Sequence, residues 1–188
     1  MFLVRRATIG DLDGLVRVHV DTWKTTYKGI LPDDFLDRLT YEGRRDQWER
    51  ILSGPDLKYL FVAEDESGFP RTDVERASKV VGFASGGPNR DKDGQYKGEV
   101  YAIYILKDYQ GKGLGRSLFT RIAEALLEDG FDSIKVWVLT DNAPARRFYE
   151  ALGGKLTESR YIKIGGATYE EVAYGWPDAR ILVRFPSD

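Results

Sequence analysis

The sequence of 188 residues contains no cysteine and only one histidine, His19. The lack of cysteine excludes disulfide bonds, thiolate metal sites and a cysteine nucleophile. With a single histidine, a histidine-rich metal site is not expected, and acid–base chemistry falls to Glu, Asp or Tyr side chains. We therefore predict a protein that binds no metal.

Long apolar segments are also missing. No window approaches the roughly 18 apolar residues that a membrane-spanning helix needs. The N-terminal segment Met1–Arg6 lacks the long apolar stretch and the small-residue cleavage site of a signal peptide. We expect a cytoplasmic protein without a membrane partner. The formal net charge of −2 argues against nucleic-acid binding, which needs clustered positive charge.

Residue patterns predict alternating strands and helices. Short runs of β-branched and aromatic residues predict strands at 2–6, 59–64, 80–85, 99–106, 134–139, 161–164 and 169–174. Apolar residues at three- and four-residue intervals predict helices at about 12–23, 33–39, 42–52, 114–126 and 144–152. Polar, glycine-containing segments at 65–79 and 86–98 are interpreted as loops.

This order of elements is typical of one layered domain. Hydrophobic residues at 42% and charged residues at 31% agree with a globular chain. We predict an α/β (α+β) fold with a mixed sheet. The single domain is expected to cover residues 1–188, with a core at about 2–176 and a short C-terminal extension at 177–188.

The strand–turn–helix segment at residues 99–127 carries the clearest local signal. Its turn has glycine at alternate positions, Gly111, Gly113 and Gly115, and glycine permits positive φ and close approach of a ligand to the backbone. The turn leads into a helix N-terminus, where free N–H groups and the helix dipole favour an anion. These features favour a phosphate or pyrophosphate site. A tight connection without a ligand is the alternative.

Two well-known phosphate motifs fit this turn poorly. A P-loop needs the spacing G-x-x-x-x-G-K-S/T, which the turn lacks. A dinucleotide fingerprint needs G-x-G-x-x-G near the start of a βαβ fold, whereas this turn reads G-x-G-x-G and lies past the middle of the chain.

The combination Gln110-x-x-Gly113-x-Gly115, after an apolar strand and before an amphipathic helix, resembles the acyl-CoA-binding motif of the GNAT superfamily of N-acetyltransferases. The segment at 136–154 is similar to that superfamily's next strand-and-helix motif, in which an asparagine precedes a short helix carrying Phe-Tyr. The similarity extends over about residues 2–176. It implies a mostly antiparallel sheet with helices on both faces and a splayed strand pair that binds acetyl-CoA.

The resemblance implies a place for each part of acetyl-CoA. Backbone groups of the strand would pair with the pantetheine arm, N–H groups of the turn would bind the pyrophosphate, and an asparagine would contact the arm. The implied cofactor-binding residues are Ile103, Tyr104, Ile105, Gln110, Gly111, Lys112, Gly113, Leu114, Gly115, Arg116, Asn142 and Tyr149. For Asn142, a simple helix N-cap is the alternative.

Direct attack of an amine on a thioester needs positioning and two proton transfers. The resemblance places Tyr149 near the thioester sulfur, which makes it the candidate general acid for the departing thiolate, with aromatic core packing as the alternative. An alkylammonium has a pKa of about 10, so a base is also desirable. Glu99, eleven residues before Gln110, is the candidate base, acting directly or through water. Its alternative role is to cap an exposed strand end.

The resemblance implies an acceptor pocket for the amine between the first two helices. Trp23 and Tyr27 stand four residues apart on one helical face and are predicted to line the amine site, with ordinary core aromatics as the alternative. His19 lies on the same face, where a packed, neutral histidine is expected rather than a catalytic one.

The resemblance implies an enzyme that transfers an acetyl group from acetyl-CoA to a primary amine of a small molecule or of a peptide or protein, by direct attack in a ternary complex. A non-catalytic acyl-CoA-binding module and a nucleotide-binding regulator are the alternatives. The presence of Glu99, Asn142 and Tyr149 together favours the enzyme. A homodimer is a reasonable expectation for such a protein.

Overall fold

The computed structural model describes residues 1–67, 79–91 and 94–184. Over these ranges seven strands form one sheet in the order β1-β2-β3-β4-β5-β7-β6. The strands are β1 Phe2–Arg6, β2 Leu60–Asp65, β3 Val80–Pro88, β4 Gly98–Ile105, β5 Ile134–Leu139, β6 Lys155–Ile164 and β7 Ala167–Trp176. Neighbouring strands are antiparallel except β4 and β5, which are parallel. The predicted mixed, mostly antiparallel sheet is confirmed.

Helices cover both faces of this sheet. Within the described ranges they are α1 Leu12–Thr26, α2 Asp33–Asp37, α3 Tyr41–Leu52, α4 Leu114–Glu128 and α5 Ala143–Ala151. The two faces are seen in successive residues of β2. Phe61 packs in the cluster that includes α4, whereas Val62 packs with α1 and α3. This alternation follows from the two-residue period of a strand. None of these helices combines the length and the apolarity needed to cross a membrane.

The parallel pair β4 and β5 is joined over only three residues. Gly98, Glu99 and Val100 pair with Ile134, Lys135 and Val136, whereas β4 continues to Ile105 and β5 to Leu139. The pairing of β4 with β3 also shifts by one residue at Tyr101, and such a bulge bends a strand. The two strands therefore separate beyond Val100 and Val136, which confirms the predicted splayed pair.

Two segments that were not predicted as strands belong to the sheet. β3 extends through residues 86–88, which were interpreted as loop, because they pair with the first residues of β4. β6 begins at Lys155 rather than at residue 161. Its first half was not predicted, because it has mostly exposed side chains and lies at the edge of the sheet, where it pairs only with β7. The predicted loop at 65–79 lies largely outside the described residues. Beyond β7, Ala179 and Leu182 are buried against the main core.

Candidate functional site

A cavity of about 700 Å³ opens where β4 and β5 separate. Residues 101–105 of β4 form one wall and residues 136–138 of β5 form the other. The turn after β4 and one side of α5 line one end, and the C-terminal turns of α1 line the other. One continuous space therefore joins the glycine turn to the end of α1.

The turn between β4 and α4 leaves the first amide groups of α4 without helical partners. Gly113, the N-cap residue of α4, has φ +84°, a conformation that side-chain-bearing residues rarely adopt. A Cβ atom on Gly115 would come within 3.2 Å of the Phe148 ring, so glycine also permits close packing against α5. The side-chain amide of Gln110 donates to the carbonyl oxygen of Ile105 at 2.9 Å and closes the turn. Positive charge comes from Arg116, which lines the cavity.

Two predicted cofactor residues in this turn do not line the cavity with their side chains. The ammonium of Lys112 lies 5.0 Å from the ring centroid of Tyr109, and the side chain of Leu114 is buried in the core beneath α4. Their backbone N–H groups at the start of α4 remain candidates for an anion site.

The edge of β4 that faces β5 is available to an extended ligand. Ile103, Tyr104 and Ile105 line the cavity, and on their other side they pair with β3. The described ladder between β4 and β5 ends at Val100. An extended chain that carries amide groups can lie along such an edge in the manner of an added strand.

Asn142 and Tyr149 approach the cavity from α5. The side-chain oxygen of Asn142 accepts a hydrogen bond from the backbone N–H of Ala145 at 3.3 Å, so the N-cap role is confirmed, and the same residue borders the cavity. Tyr149 is only 4% exposed and packs between Phe119 and Phe148. Burial, and secondarily the neighbouring Tyr104, raises the pKa of Tyr149 well above its ordinary value, which keeps the phenol protonated.

Glu99 is buried and ion-paired, with 1% of its surface exposed. One carboxylate oxygen accepts from Nε of Arg90 at 3.1 Å, and the other accepts from the backbone N–H of Arg90 at 3.0 Å. The alternative role as an exposed strand-end cap is therefore wrong. Glu99 is also not among the residues that line the cavity, so the structure does not place its carboxylate beside Tyr149.

Of the two predicted acceptor residues, only Tyr27 reaches the cavity. Trp23 packs behind it, with ring centroids 4.9 Å apart. Burial raises the pKa of Tyr27, with further contributions from Tyr104, Tyr149 and Glu171, so this phenol also stays protonated.

His19 confirms the expectation of a packed, neutral histidine. Its Nδ1 accepts a hydrogen bond from the indole N–H of Trp48 at 3.1 Å. Burial, followed by the charge of Arg44, lowers the pKa of His19 to about 4.

Thr22, Tyr101 and Trp137 are among the residues that border the cavity and that the sequence did not single out. Thr22 is 2% exposed, and its hydroxyl oxygen has no hydrogen-bond partner among the described residues. A buried polar atom without such a partner is rare in folded proteins. The only signal in the sequence was a polar side chain within the apolar face of α1. In the described ranges, no group of three or more His, Asp or Glu side chains is placed to hold a metal ion.

A splayed parallel strand pair, with a helix N-terminus and a roomy cavity between the strands, is the arrangement expected of a protein that binds an extended, anionic ligand. Comparison with known proteins agrees with this class. The sequence model of the Acetyltransferase (GNAT) family matches residues 21–154. The uncharacterized N-acetyltransferase YuaI of Bacillus subtilis (strain 168) is 41% identical over 182 residues, covering 97% of this chain and 96% of that protein.

Two solved structures share the fold. The PaiA N-acetyltransferase of Thermoplasma acidophilum, in complex with coenzyme A, superposes with a TM-score of 0.64 at 21% identity, covering 91% of this chain and 98% of that chain. YncA of Salmonella typhimurium, with its cofactor acetyl-CoA, gives a TM-score of 0.64 at 20% identity, covering 94% and 93%. The chain belongs to the GNAT acetyltransferase family and is an acyl-CoA-dependent N-acyltransferase.

Proposed function

We propose that the protein transfers the acetyl group of acetyl-CoA to a primary amine of a small molecule or peptide, by direct attack in a ternary complex. The observation that supports this most strongly is the single cavity from the glycine turn to the end of α1. Its volume of about 700 Å³ lies within the range of roughly 300–1,000 Å³ for ligand sites. Two substrates can therefore meet inside one space without a covalent enzyme intermediate.

Acetyl-CoA would lie with its pyrophosphate on the N–H groups of residues 111–116 and its pantetheine arm along Ile103–Ile105. Arg116 would supply positive charge at the phosphate end and Asn142 would border the arm, since both residues line the cavity. From Ile105 back to Tyr101 the strand rises roughly 13 Å, at about 3.3 Å per residue. The thioester would accordingly lie near the point where β4 and β5 separate.

Tyr149 would donate a proton to the departing thiolate. Its phenol lines the cavity, and its raised pKa keeps the proton available at neutral pH. The surrounding apolar side chains exclude water, which strengthens a hydrogen bond from the phenol to a developing negative charge.

Glu99 would accept the proton of the substrate ammonium through an intervening water molecule. A direct contact is not supported, because the carboxylate lies behind the cavity wall and bonds to Arg90. Glu99 therefore stays the proposed base, acting through water, because a general base can act through one water molecule in enzymes.

The acceptor would enter at the end of α1. Thr22, Tyr27 and Ile30 line the cavity there. An amine with a partly apolar body would suit such a mixed polar and apolar lining.

The test uses purified protein, acetyl-CoA and three amines of different class: spermidine, L-leucine and trialanine. Because the protein has no cysteine, a thiol reagent reports only the coenzyme A that is released, and mass spectrometry identifies the acetylated product. We expect thiol release that depends on at least one of these amines. Calorimetric binding of acetyl-CoA with no turnover of any of them would favour a non-catalytic acyl-CoA-binding module instead. A lack of binding would refute the proposal.

A further inference from the structure

The connection from β3 to β4 carries charged residues that contact the cavity wall from outside. Its first residues are fixed by Asn89, whose side chain donates to the carbonyl of Tyr96 at 2.8 Å and accepts from the backbone N–H of Asp91 at 3.1 Å. The backbone N–H of Asn89 also donates to Lys97 at 2.8 Å. These bonds place Arg90 and Asp91 against strands β4 and β5.

Asp91 bonds directly to the cavity-lining Trp137. The indole N–H of Trp137 donates to one carboxylate oxygen at 2.9 Å. Lys135 contacts the same oxygen at 2.7 Å, and Arg160 contacts the other at 2.6 Å. Although partial burial alone would raise the pKa of Asp91, the bonds from Lys135, Trp137 and Arg160 lower it to about 2. The carboxylate is therefore charged at neutral pH and joins three side chains of β5 and β6.

Cations also contact the indole ring itself. The guanidinium carbon of Arg160 lies 3.9 Å from the ring centroid of Trp137, within the range of a cation–π interaction. Arg160 is in turn oriented by Glu171, which accepts from its Nε at 2.6 Å. Trp137 is thus held at its N–H edge by Asp91 and at its ring by Arg160.

Arg90 contacts two side chains of β4, as Asp91 contacts side chains of β5 and β6. Its guanidinium bonds to Glu99 and lies 4.4 Å from the ring centroid of Tyr101. The hydroxyl of Tyr101 donates to the carbonyl of Pro88 at 2.7 Å. Tyr101 and Trp137 are the first residues beyond the last paired positions of β4 and β5. The two aromatic side chains therefore stand at the point where the strands separate.

We infer that Arg90 and Asp91 are positioning residues of the transferase, which hold Tyr101 and Trp137 as the walls against which the amine acceptor packs beside the thioester. This inference rests on the proposed function, because it assumes that the thioester lies where the strands separate. It follows that Asp91 affects amine binding and leaves acetyl-CoA binding at the glycine turn unchanged.

A double-mutant cycle tests the link between Asp91 and Trp137. We expect Asp91→Ala to raise the KM for the amine about tenfold, the order expected when one charge-assisted hydrogen bond is lost, with the KM for acetyl-CoA unchanged. The probe is whichever of spermidine, L-leucine and trialanine the wild-type protein acetylates fastest. In a Trp137→Phe background, Asp91→Ala should have little further effect, because residues that act through one another are not additive.

Matched variants separate positioning from a general loss of stability. Asp132→Ala removes an exposed carboxylate that pairs with Lys97 at 2.9 Å and should leave both KM values unchanged. Asp91→Asn keeps an acceptor for the indole N–H and should retain most of the amine affinity. If Asp91→Ala does not fold, Trp137→Phe alone should raise the KM for the amine and leave the KM for acetyl-CoA unchanged. Equal effects of Asp91→Ala in the two backgrounds, or an equal rise in both KM values, would overturn the inference.

The fluorescence of Trp137 tests the inference independently of acetyl transfer. The fluorescence of the wild type minus that of Trp137→Phe gives the emission of Trp137, which Asp91→Ala should shift and Asp132→Ala should not. No shift overturns the inference even if amines are acetylated. A shift in a protein that acetylates none of the three amines would refute the proposed function and, with it, the acceptor role of this wall.

Discussion

Tyr149 and Glu99 lie in different surroundings, and their proposed roles depend on this difference. Tyr149 lies among apolar rings at the cavity surface, where burial favours its neutral form. Glu99 is more deeply buried but receives hydrogen bonds from the guanidinium and the backbone of Arg90. The proposed mechanism assigns proton donation to the first and proton acceptance to the second.

Tyr149→Phe should lower kcat about a hundredfold, the lower range for loss of a general acid, with the Kd for acetyl-CoA unchanged. The ring packing against Phe119 and Phe148 survives the loss of the hydroxyl. Steady-state kinetics and calorimetry measure the two quantities. Tyr59→Phe, at a buried tyrosine outside the cavity, is the control and should leave kcat unchanged. Equal losses of kcat and of acetyl-CoA affinity in Tyr149→Phe would contradict an acid role.

Glu99→Gln should lower kcat/KM for the amine about a hundredfold at neutral pH. If the carboxylate serves to deprotonate the ammonium, the deficit should shrink as the pH approaches the amine pKa of about 10. The pH profile of kcat/KM measures this, with Glu124→Gln on the exposed side of α4 as the control. A deficit that stays constant with pH would mean that Glu99 has a structural role.

At the scale of elements, the turn between β4 and α4 combines a backbone constraint with a proposed binding role. Gly113 has φ +84° and Gly130, after the end of α4, has φ +81°. A Cβ atom at either position would meet no protein atom within 4 Å. Both glycines therefore need the same left-handed backbone conformation. They differ in position, because only Gly113 lies next to the proposed phosphate site.

Gly113→Ala and Gly130→Ala should each destabilise the fold by about 1–2 kcal/mol, the cost of a left-handed conformation for an alanine. Only Gly113→Ala should also weaken acetyl-CoA binding, by about tenfold or more, because its methyl group faces the site of the pyrophosphate. Chemical denaturation and calorimetry provide the comparison. Equal acetyl-CoA affinities in the two variants would remove the turn from the binding site.

Sequence patterns predicted the elements that place apolar side chains in the core at regular intervals. β5 was predicted at its observed limits, since Ile134, Val136 and Val138 face the core. The first half of β6 was missed because an exposed edge strand shows little apolar alternation. The glycine turn and Tyr149 were found because their signals lie in short segments. Tyr101 and Trp137 were missed because their place in the cavity depends on where β4 and β5 stop pairing, which is a long-range property.

At the scale of the whole molecule, stability is expected to depend on pH through His19. Its pKa in the folded protein, about 4, lies below its unfolded value of about 6.5. Between these values the unfolded chain binds more protons, so the free energy of unfolding increases with pH across this window and is reduced below it. Carboxylates with lowered pKa, such as Asp91, begin to lose their contribution only below about pH 4.

Urea denaturation between pH 4.5 and 7 measures this dependence. The free energy of unfolding of the wild type should increase with pH by up to about 3 kcal/mol over the full titration of its only histidine. His19→Asn keeps an acceptor for the indole N–H of Trp48 and should be less stable overall, but nearly independent of pH in this window. A slope that persists in His19→Asn would assign the effect to other groups.

The cavity lies where β4 and β5 of one sheet separate, so the sheet itself would position both substrates. Initial rates measured while acetyl-CoA and the amine are both varied test this most directly. A ternary complex predicts thiol release that depends on the amine, with double-reciprocal lines that intersect. Parallel lines, which indicate an acetylated enzyme intermediate, would contradict the account.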